Sequence, residues 1–235
     1  MACLASVADA GNYGPTDATR DLQAIIASEP AIGEALADSL GKAGYNGITT
    51  LEDFYDYVDR TVRLVPTNHS LLEEVRPFFH LVGQSGELRS NTLFLDWVKR
   101  YVASYGRFLD TTASAAGLET FYDDPAFRVD DYVVGPSGWL TLNQFFAREI
   151  KPGKRPIAGL GDGATIVSPS DGTVRGLYPV DTEAKIAVKG IGYSIAELLQ
   201  GSRYADAFAG GQFMHSYQGV TDYHRLHVPF SGRIV

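Results

Sequence analysis

The sequence predicts an α+β protein: a helical N-terminal domain, residues 1–137, followed by an incomplete, mostly-β domain, residues 138–235. Three observations carry this division. Apolar residues recur at helical spacing from Thr16 to about Thr120. Turn signals then crowd together in Asp123-Asp124-Pro125, Asp130-Asp131 and Gly135-Pro136-Ser137-Gly138. After Gly163, short β-favouring runs alternate with Gly, Pro and Asp.

In the first part, Thr16 is suited to cap a helix that runs through Ala27, with Leu22, Ile25 and Ile26 on one side. Pro30 fits the first turn of the next helix, where Ile32, Leu36 and Leu40 recur before Gly44 stops it. Thr49-Thr50-Leu51-Glu52-Asp53 reads as a capped start, followed by Phe54, Tyr57, Val58, Val62 and Val65 until Pro66. Asn68 or Ser70 is expected to open a further helix through Leu81. The longest element runs from Ser90 to about Leu109, with Leu93, Phe94, Trp97, Val98, Tyr101, Val102, Tyr105 and Phe108 as a wide apolar stripe. Aromatic residues at that spacing are core before they are a cofactor site. His69 and His80 stand alone and read as structural.

In the second part, Thr141 caps a short helix from Leu142 to about Glu149, and a basic extended stretch, Lys151 to Pro156, follows. Thr165-Ile166-Val167 is expected as a short strand, with Ser168-Pro-Ser-Asp171-Gly172 as a turn. Thr173-Val174 with Leu177-Tyr178, and then Lys185 to Lys189, read as further strands. Tyr193-Ser194 opens a helix to about Gln200, and Gly210-Gly211 leads into Gln212.

The densest chemistry lies in Asp222-Tyr223-His224-Arg225-Leu226-His227, which sets a carboxylate, a phenol, a guanidinium and two imidazoles in six residues. Three of the chain's five histidines, His215, His224 and His227, fall in its last segment. Groups that titrate near neutrality suit acid–base chemistry; polar side chains along a sheet edge are the plainer alternative. On a helix, His224 and His227 would share a face. On a strand, the expected conformation here, they face opposite ways and have separate jobs. No cysteine or third ligand accompanies them, so no metal site is expected.

Composition excludes several classes. Hydrophobic residues at 45% and charged residues at 20% describe a globular chain able to bury a core. A net charge of −8 argues against nucleic acid as the partner. A single cysteine, Cys3, excludes a disulfide framework and fits a reducing compartment. No basic leader or membrane-length apolar run is evident. A cytoplasmic protein is expected, with peripheral membrane contact open.

Several motifs come together in one order: Leu142-Asn-Gln-Phe-Phe-Ala-Arg148, Lys154-Arg-Pro-Ile157, Val167-Ser-Pro-Ser-Asp-Gly172, Val188-Lys-Gly190 with Tyr193-Ser194, and Asp222-Tyr-His-Arg-Leu-His227 with Pro229 and Gly232. In that order they resemble the phosphatidylserine decarboxylases, pyruvoyl-dependent enzymes. The helical part resembles the N-terminal extension of L-tryptophan decarboxylase-like relatives.

The resemblance implies that an internal serine attacks the preceding carbonyl and that the ester then eliminates and hydrolyses to leave a pyruvoyl group. It implies His227 as the base for that serine, Asp171 as the carboxylate orienting His227, and His224 as the acid that reprotonates the decarboxylated carbon. Tyr223, Arg225 and Lys189 are carried over as substrate-binding residues. Each has a plainer reading: Asp171 as a turn residue, Tyr223 and Arg225 as packing and ion-pair residues, Lys189 as a strand end. Lys154-Arg155 reads either as an anion site or as a solvated loop.

The family's Gly-Ser-Thr-type motif has no counterpart here, and Ile234-Val235 looks like a strand being entered. The chain is therefore expected to be a fragment, without activity alone and partnered by the missing C-terminal part of its domain, and a homo-oligomer when complete. The function implied is decarboxylation of phosphatidylserine to phosphatidylethanolamine. A decarboxylase of free aromatic amino acids such as L-tryptophan, or a non-catalytic remnant that binds a partner, are the alternatives.

Overall fold

The computed structural model describes residues 15–75, 77–180, 185–188, 191–199 and 202–231. Cys3, Lys189 with Gly190, and residues 232–235 lie outside them. The protein is α+β. It divides into two compact units, Met1–Asp123 with Ser137–Phe145, and Asp124–Pro136 with Phe146–Val235.

The first unit is helical, and its caps are written in the sequence. α1 (Asp17–Ser28) starts at Thr16, whose hydroxyl accepts from the Thr19 amide. α2 (Pro30–Ala43) takes Pro30 in its first turn, where the missing N–H costs nothing, and ends at Gly44 in the left-handed region, φ 55°. α3 (Leu51–Thr61) opens with a reciprocal box: Thr50 accepts from the Asp53 amide while Asp53 accepts from the Thr50 amide.

The helix expected across 68–81 is instead a π-helical turn, Leu71–Val75, and a separate α4 (Pro77–Val82). Pro77 has no N–H to continue an incoming ladder, but it suits a first turn. A short α5 (Gly86–Ser90), which the periodicity did not reveal, is capped by Ser85. α6 (Thr92–Leu109) starts at Asn91, whose side chain accepts from the Phe94 amide. α7 (Glu119–Tyr122) follows one 3-10 segment, Thr112–Gly117.

The apolar faces converge on Trp97, which is fully buried. Its ring lies among Phe54, Phe78 and Tyr101, with centroids 5.6–6.2 Å away. The indole N–H donates to the Ala18 carbonyl at 2.8 Å, so the polar atom is satisfied inside the core. The α6 stripe is narrower than its periodicity suggests. Phe94, Trp97, Tyr101 and Tyr105 are buried, whereas Leu93 and Val102 are exposed. Ser137–Phe145 rejoins this unit: Thr141 caps α8 (Leu142–Phe146), and Phe145 packs on Phe121 and Trp139.

The second unit is built of antiparallel pairs. β1 (Tyr132–Val133) pairs with β2 (Glu149–Ile150). β3 (Thr173–Pro179) pairs with β6 (Gln212–Tyr217), with an irregularity at Val174/Gly176. β4 (Lys185–Val188) pairs with β5 (Ile191–Ser194). β5 leads into α9 (Ile195–Leu198), which Ser194 and Glu197 box together. Gly172 lies just before β3 and close against the end of β6. A Cβ there would lie 2.6 Å from Ser216 Oγ and 2.9 Å from the Tyr217 carbonyl oxygen.

Two expected strands are absent. Residues 165–167 and 221–229 are irregular, joined by two backbone bonds, Val167 N to Pro229 O at 2.9 Å and His227 N to Pro169 O at 2.7 Å. Each bonded pair contains a proline, and proline has no N–H to return the bond. Only half a ladder can form, so neither stretch becomes a strand.

Replacing Trp97 with alanine should lower the stability of the helical unit by about 3–5 kcal/mol, as for other large aromatic truncations in a packed core. Urea denaturation followed by far-ultraviolet circular dichroism measures it. A change below about 1 kcal/mol would show that the aromatic cluster is not the core.

Candidate active site

The histidine segment 221–228 has no secondary structure to satisfy its backbone, so side chains do the work. Arg148 Nη2 donates to the Thr221 carbonyl at 3.1 Å and to the Asp222 carbonyl at 3.0 Å. Gln218 Nε2 donates to the Tyr223 carbonyl at 2.7 Å. A small turn precedes them: the Asp222 amide donates to Gly219 O, and the Gly219 amide donates to Asp222 Oδ2 at 2.7 Å. Arg225 Nε donates to the Ala147 carbonyl at 2.8 Å, and its Nη2 lies 3.4 Å from Glu149 Oε1.

Arg148 is the centre of this arrangement. It is 1% exposed, and its guanidinium lies 4.3 Å over the ring of Tyr132 and 5.9 Å from that of Phe127. Burial lowers its pKa, but an arginine keeps its charge in a protein. Tyr132 in turn packs against Tyr223, centroids 6.1 Å apart, and Tyr223 stacks on His227 at 5.5 Å. Burial raises the pKa of the Tyr223 phenol.

The two imidazoles have different surroundings, although no strand separates them. His227 is exposed, and its Nε2 meets the Tyr223 hydroxyl at 3.1 Å. His224 is half-buried with its ring stacked on Phe146, centroids 3.9 Å apart. Its Nε2 is buried without a hydrogen-bond partner. Burial holds the His224 pKa below the ordinary imidazole value, and the nearby Arg148 charge acts in the same direction. Backbone hydrogen bonds at Gly219 and Val220 and the Asp222 carboxylate oppose it.

Asp171 lies in the loop before β3. Its carboxylate is gripped by Arg155, with Nε 3.0 and 3.2 Å from the two oxygens and Nη2 at 2.9 Å. Arg155 Nη1 also reaches Asp131 at 3.9 Å, and Lys154 pairs with Asp131 at 2.8 Å. Lys154-Arg155 is therefore an ion-pair cluster rather than a solvated loop. The half-ladder ties His227 N to Pro169, two residues before Asp171. The structure thus brings Asp171, Tyr223, His224, Arg225 and His227 into one unit but joins the Asp171 carboxylate to Arg155 and the His227 ring to Tyr223. Lys189 lies outside the described residues. Among those residues no cluster of potential metal ligands occurs.

A sequence model of the phosphatidylserine decarboxylase family matches residues 142–235, the stretch that contains all of these groups except Asp131, Tyr132 and Phe127. These residues are similar to that family. Relatives carry the same name. The phosphatidylserine decarboxylase proenzyme of Brevibacillus brevis is 45% identical over 109 residues, covering 45% of this chain and 38% of that protein. The proenzyme of Bacillus thuringiensis subsp. konkukian is 36% identical over 128 residues, 54% of this chain and 48% of its own. That of Acidovorax ebreus is 32% identical over 154 residues, 65% and 46% respectively. The last match is longer than the family-model match and so reaches back before Leu142. The chain spans under half the length of these relatives.

Arg148 and Phe146 were legible only as letters of the family motif, with no role attached. The signal that could have singled out Arg148 is a guanidinium two residues after the pair Phe145-Phe146, where it can reach backbone while its stem stays dry. Nothing in the sequence points to Tyr132.

Two-dimensional NMR of the histidine rings should place the His224 titration below the ordinary value of about 6.5. Because the folded value is the lower one, protonation favours unfolding. The His224 contribution to stability is complete above the unfolded value and is lost as pH falls through the folded one. Urea midpoints at several pH values, compared with His224→Gln, report this. An unchanged pH dependence in that variant would show that His224 is not buried as described.

Proposed function

We propose that the second unit supplies the acid–base groups of a pyruvoyl-dependent decarboxylase acting on phosphatidylserine to give phosphatidylethanolamine. The similarity of residues 142–235 to the phosphatidylserine decarboxylase family supports the reaction class. The observation that carries the roles is the unlike environment of the two histidines, one ring nitrogen buried and unpartnered, the other on a phenol. Unlike surroundings are how two groups of one type are given different tasks.

The chemistry of the donor set fits a pyruvoyl group. When bound, such a group supplies a carbonyl that takes up the substrate amine and withdraws electrons from the bond to the carboxylate. His224 and His227 are the residues that would face it. In its protonated form, His224 delivers the proton to the substrate carbon after carbon dioxide leaves and returns to the neutral ring that its burial favours. Its place against Phe146 excludes water from one face of the ring. His227 takes the proton of the serine hydroxyl during self-cleavage, with Tyr223 holding Nε2 in its resting position. Asp171 supports His227, a role that requires the carboxylate to exchange its grip on Arg155 for the ring. Arg225 and Tyr223 border the site, and an acidic lipid headgroup is the substrate they suit. Peripheral contact with a lipid surface and assembly into a homo-oligomer go with this reading. Among the described residues, no helix is long and apolar enough to cross a membrane.

The test uses the full-length protein with phosphatidylserine vesicles and, separately, with free L-tryptophan. Phosphatidylethanolamine should form. His227→Ala and Asp171→Asn should leave the precursor uncut on a gel, whereas His224→Ala should cleave and lose about 10²-fold or more in turnover. Tryptamine without phosphatidylethanolamine would reassign the substrate. Normal cleavage by His227→Ala would overturn the roles.

A further inference from the structure

Four consecutive residues, 146–149, hold the segment 221–225 at four points. The Phe146 ring stacks on His224 at 3.9 Å. The Ala147 carbonyl accepts from Arg225 at 2.8 Å. Arg148 bridges two successive carbonyls, Thr221 and Asp222, and the Glu149 carboxylate pairs with Arg225. Arg148 alone among these is fully buried, and the two carbonyls it grips are the ones just before Tyr223 and His224.

We infer that Arg148 is a positioning residue for His224: its guanidinium fixes the backbone that sets the imidazole against Phe146. The inference rests on the proposed role of His224 only for its effect on turnover. The geometry explains why arginine is needed. Two carbonyls from adjacent residues are reached by one Nη2, while the flat face of the group covers Tyr132 at 4.3 Å. A lysine ammonium keeps the charge but has neither the planar face nor the rigid donor fork. Without the clamp, the 221–225 backbone loses two charge-assisted bonds, and nothing regular replaces them, because the prolines at 169 and 229 already limit the ladder to two bonds.

Arg148→Lys is the informative variant because it separates charge from geometry. Arg148 itself disfavours protonation of His224, so removing the charge would move the titration even with the ring in place. The other groups facing the imidazole are the Asp222 carboxylate and the backbone at Gly219 and Val220, and the Lys variant leaves them unaltered.

In the full chain, ring NMR of Arg148→Lys should show the His224 titration moving up toward the ordinary imidazole range as the ring leaves Phe146. The signals of His69 and His80 in the helical unit should stay in place, reporting intact folding there. Arg148→Met should show the same movement, enlarged by loss of the charge. In the full-length enzyme Arg148→Lys should lower kcat by about 10²-fold with little change in KM, as a misplaced catalytic group does. A Lys variant whose His224 titrates as in the parent protein, whether or not Arg148→Met folds, overturns the inference. If the titration moves but His224→Ala leaves turnover intact, the positioning stands and the proposed role of His224 falls.

Discussion

Arg148 carries a charge that a protein interior tolerates only when its donors are engaged and its face is covered. Here two backbone carbonyls accept from Nη2, and Tyr132 and Phe127 lie against the guanidinium. A hydrogen bond to a charged group contributes about 1.5–3 kcal/mol, and a desolvated cation–π contact about 2 kcal/mol. Losing the guanidinium therefore perturbs the segment more than losing either ring. The order of the histidine segment follows from this interaction, because that segment has no helix or sheet to hold it.

The prolines explain why a side chain had to take that part. At 167/229 and 169/227 the backbones approach as an antiparallel ladder would, yet every pair can form one bond instead of two. A regular strand would have fixed the imidazoles by alternation. The half-ladder fixes only the amide of His227 and leaves the ring directions to local contacts: a phenol for His227, a benzene ring for His224. Side chains that are aimed by particular contacts rather than by a regular lattice can be placed in unlike environments a few residues apart, and acid–base roles require that.

The helical unit shows the opposite economy. Its helices start and stop at residues whose side chains or missing N–H groups suit the ends, and its core closes through rings a short distance apart in one cluster. In the other unit, the larger apolar side chains of β3 and β6, such as Leu177 and Met214, are 61% and 48% exposed, and among the described residues full burial is confined to a few groups around Arg148. Phe127, Tyr132 and Tyr223 are those groups, and Tyr132 and Tyr223 connect Arg148 to His227. The packed part of this unit is the part that supports the histidines.

The sequence by itself determined the α+β class, the caps at Thr16 and Thr50, the stop at Gly44, the core stripe that contains Trp97 and the resemblance of the stretch from Leu142 to the phosphatidylserine decarboxylases. Those features are local: a cap depends on its own side chain and the next three amides, periodicity on one face, and a motif on adjacent letters. It also marked residues 222–227 as chemically dense. Only the tertiary structure decided that 165–167 and 221–229 are not strands, since the bond each proline withholds matters only once its partner is known. Only the tertiary structure decided that Asp171 lies in the grip of Arg155 and that His227 meets Tyr223. The same holds for the burial of Arg148, whose bonds span 73 and 74 residues of chain. Partners so far apart in sequence share no local pattern, and their meeting is settled by packing alone.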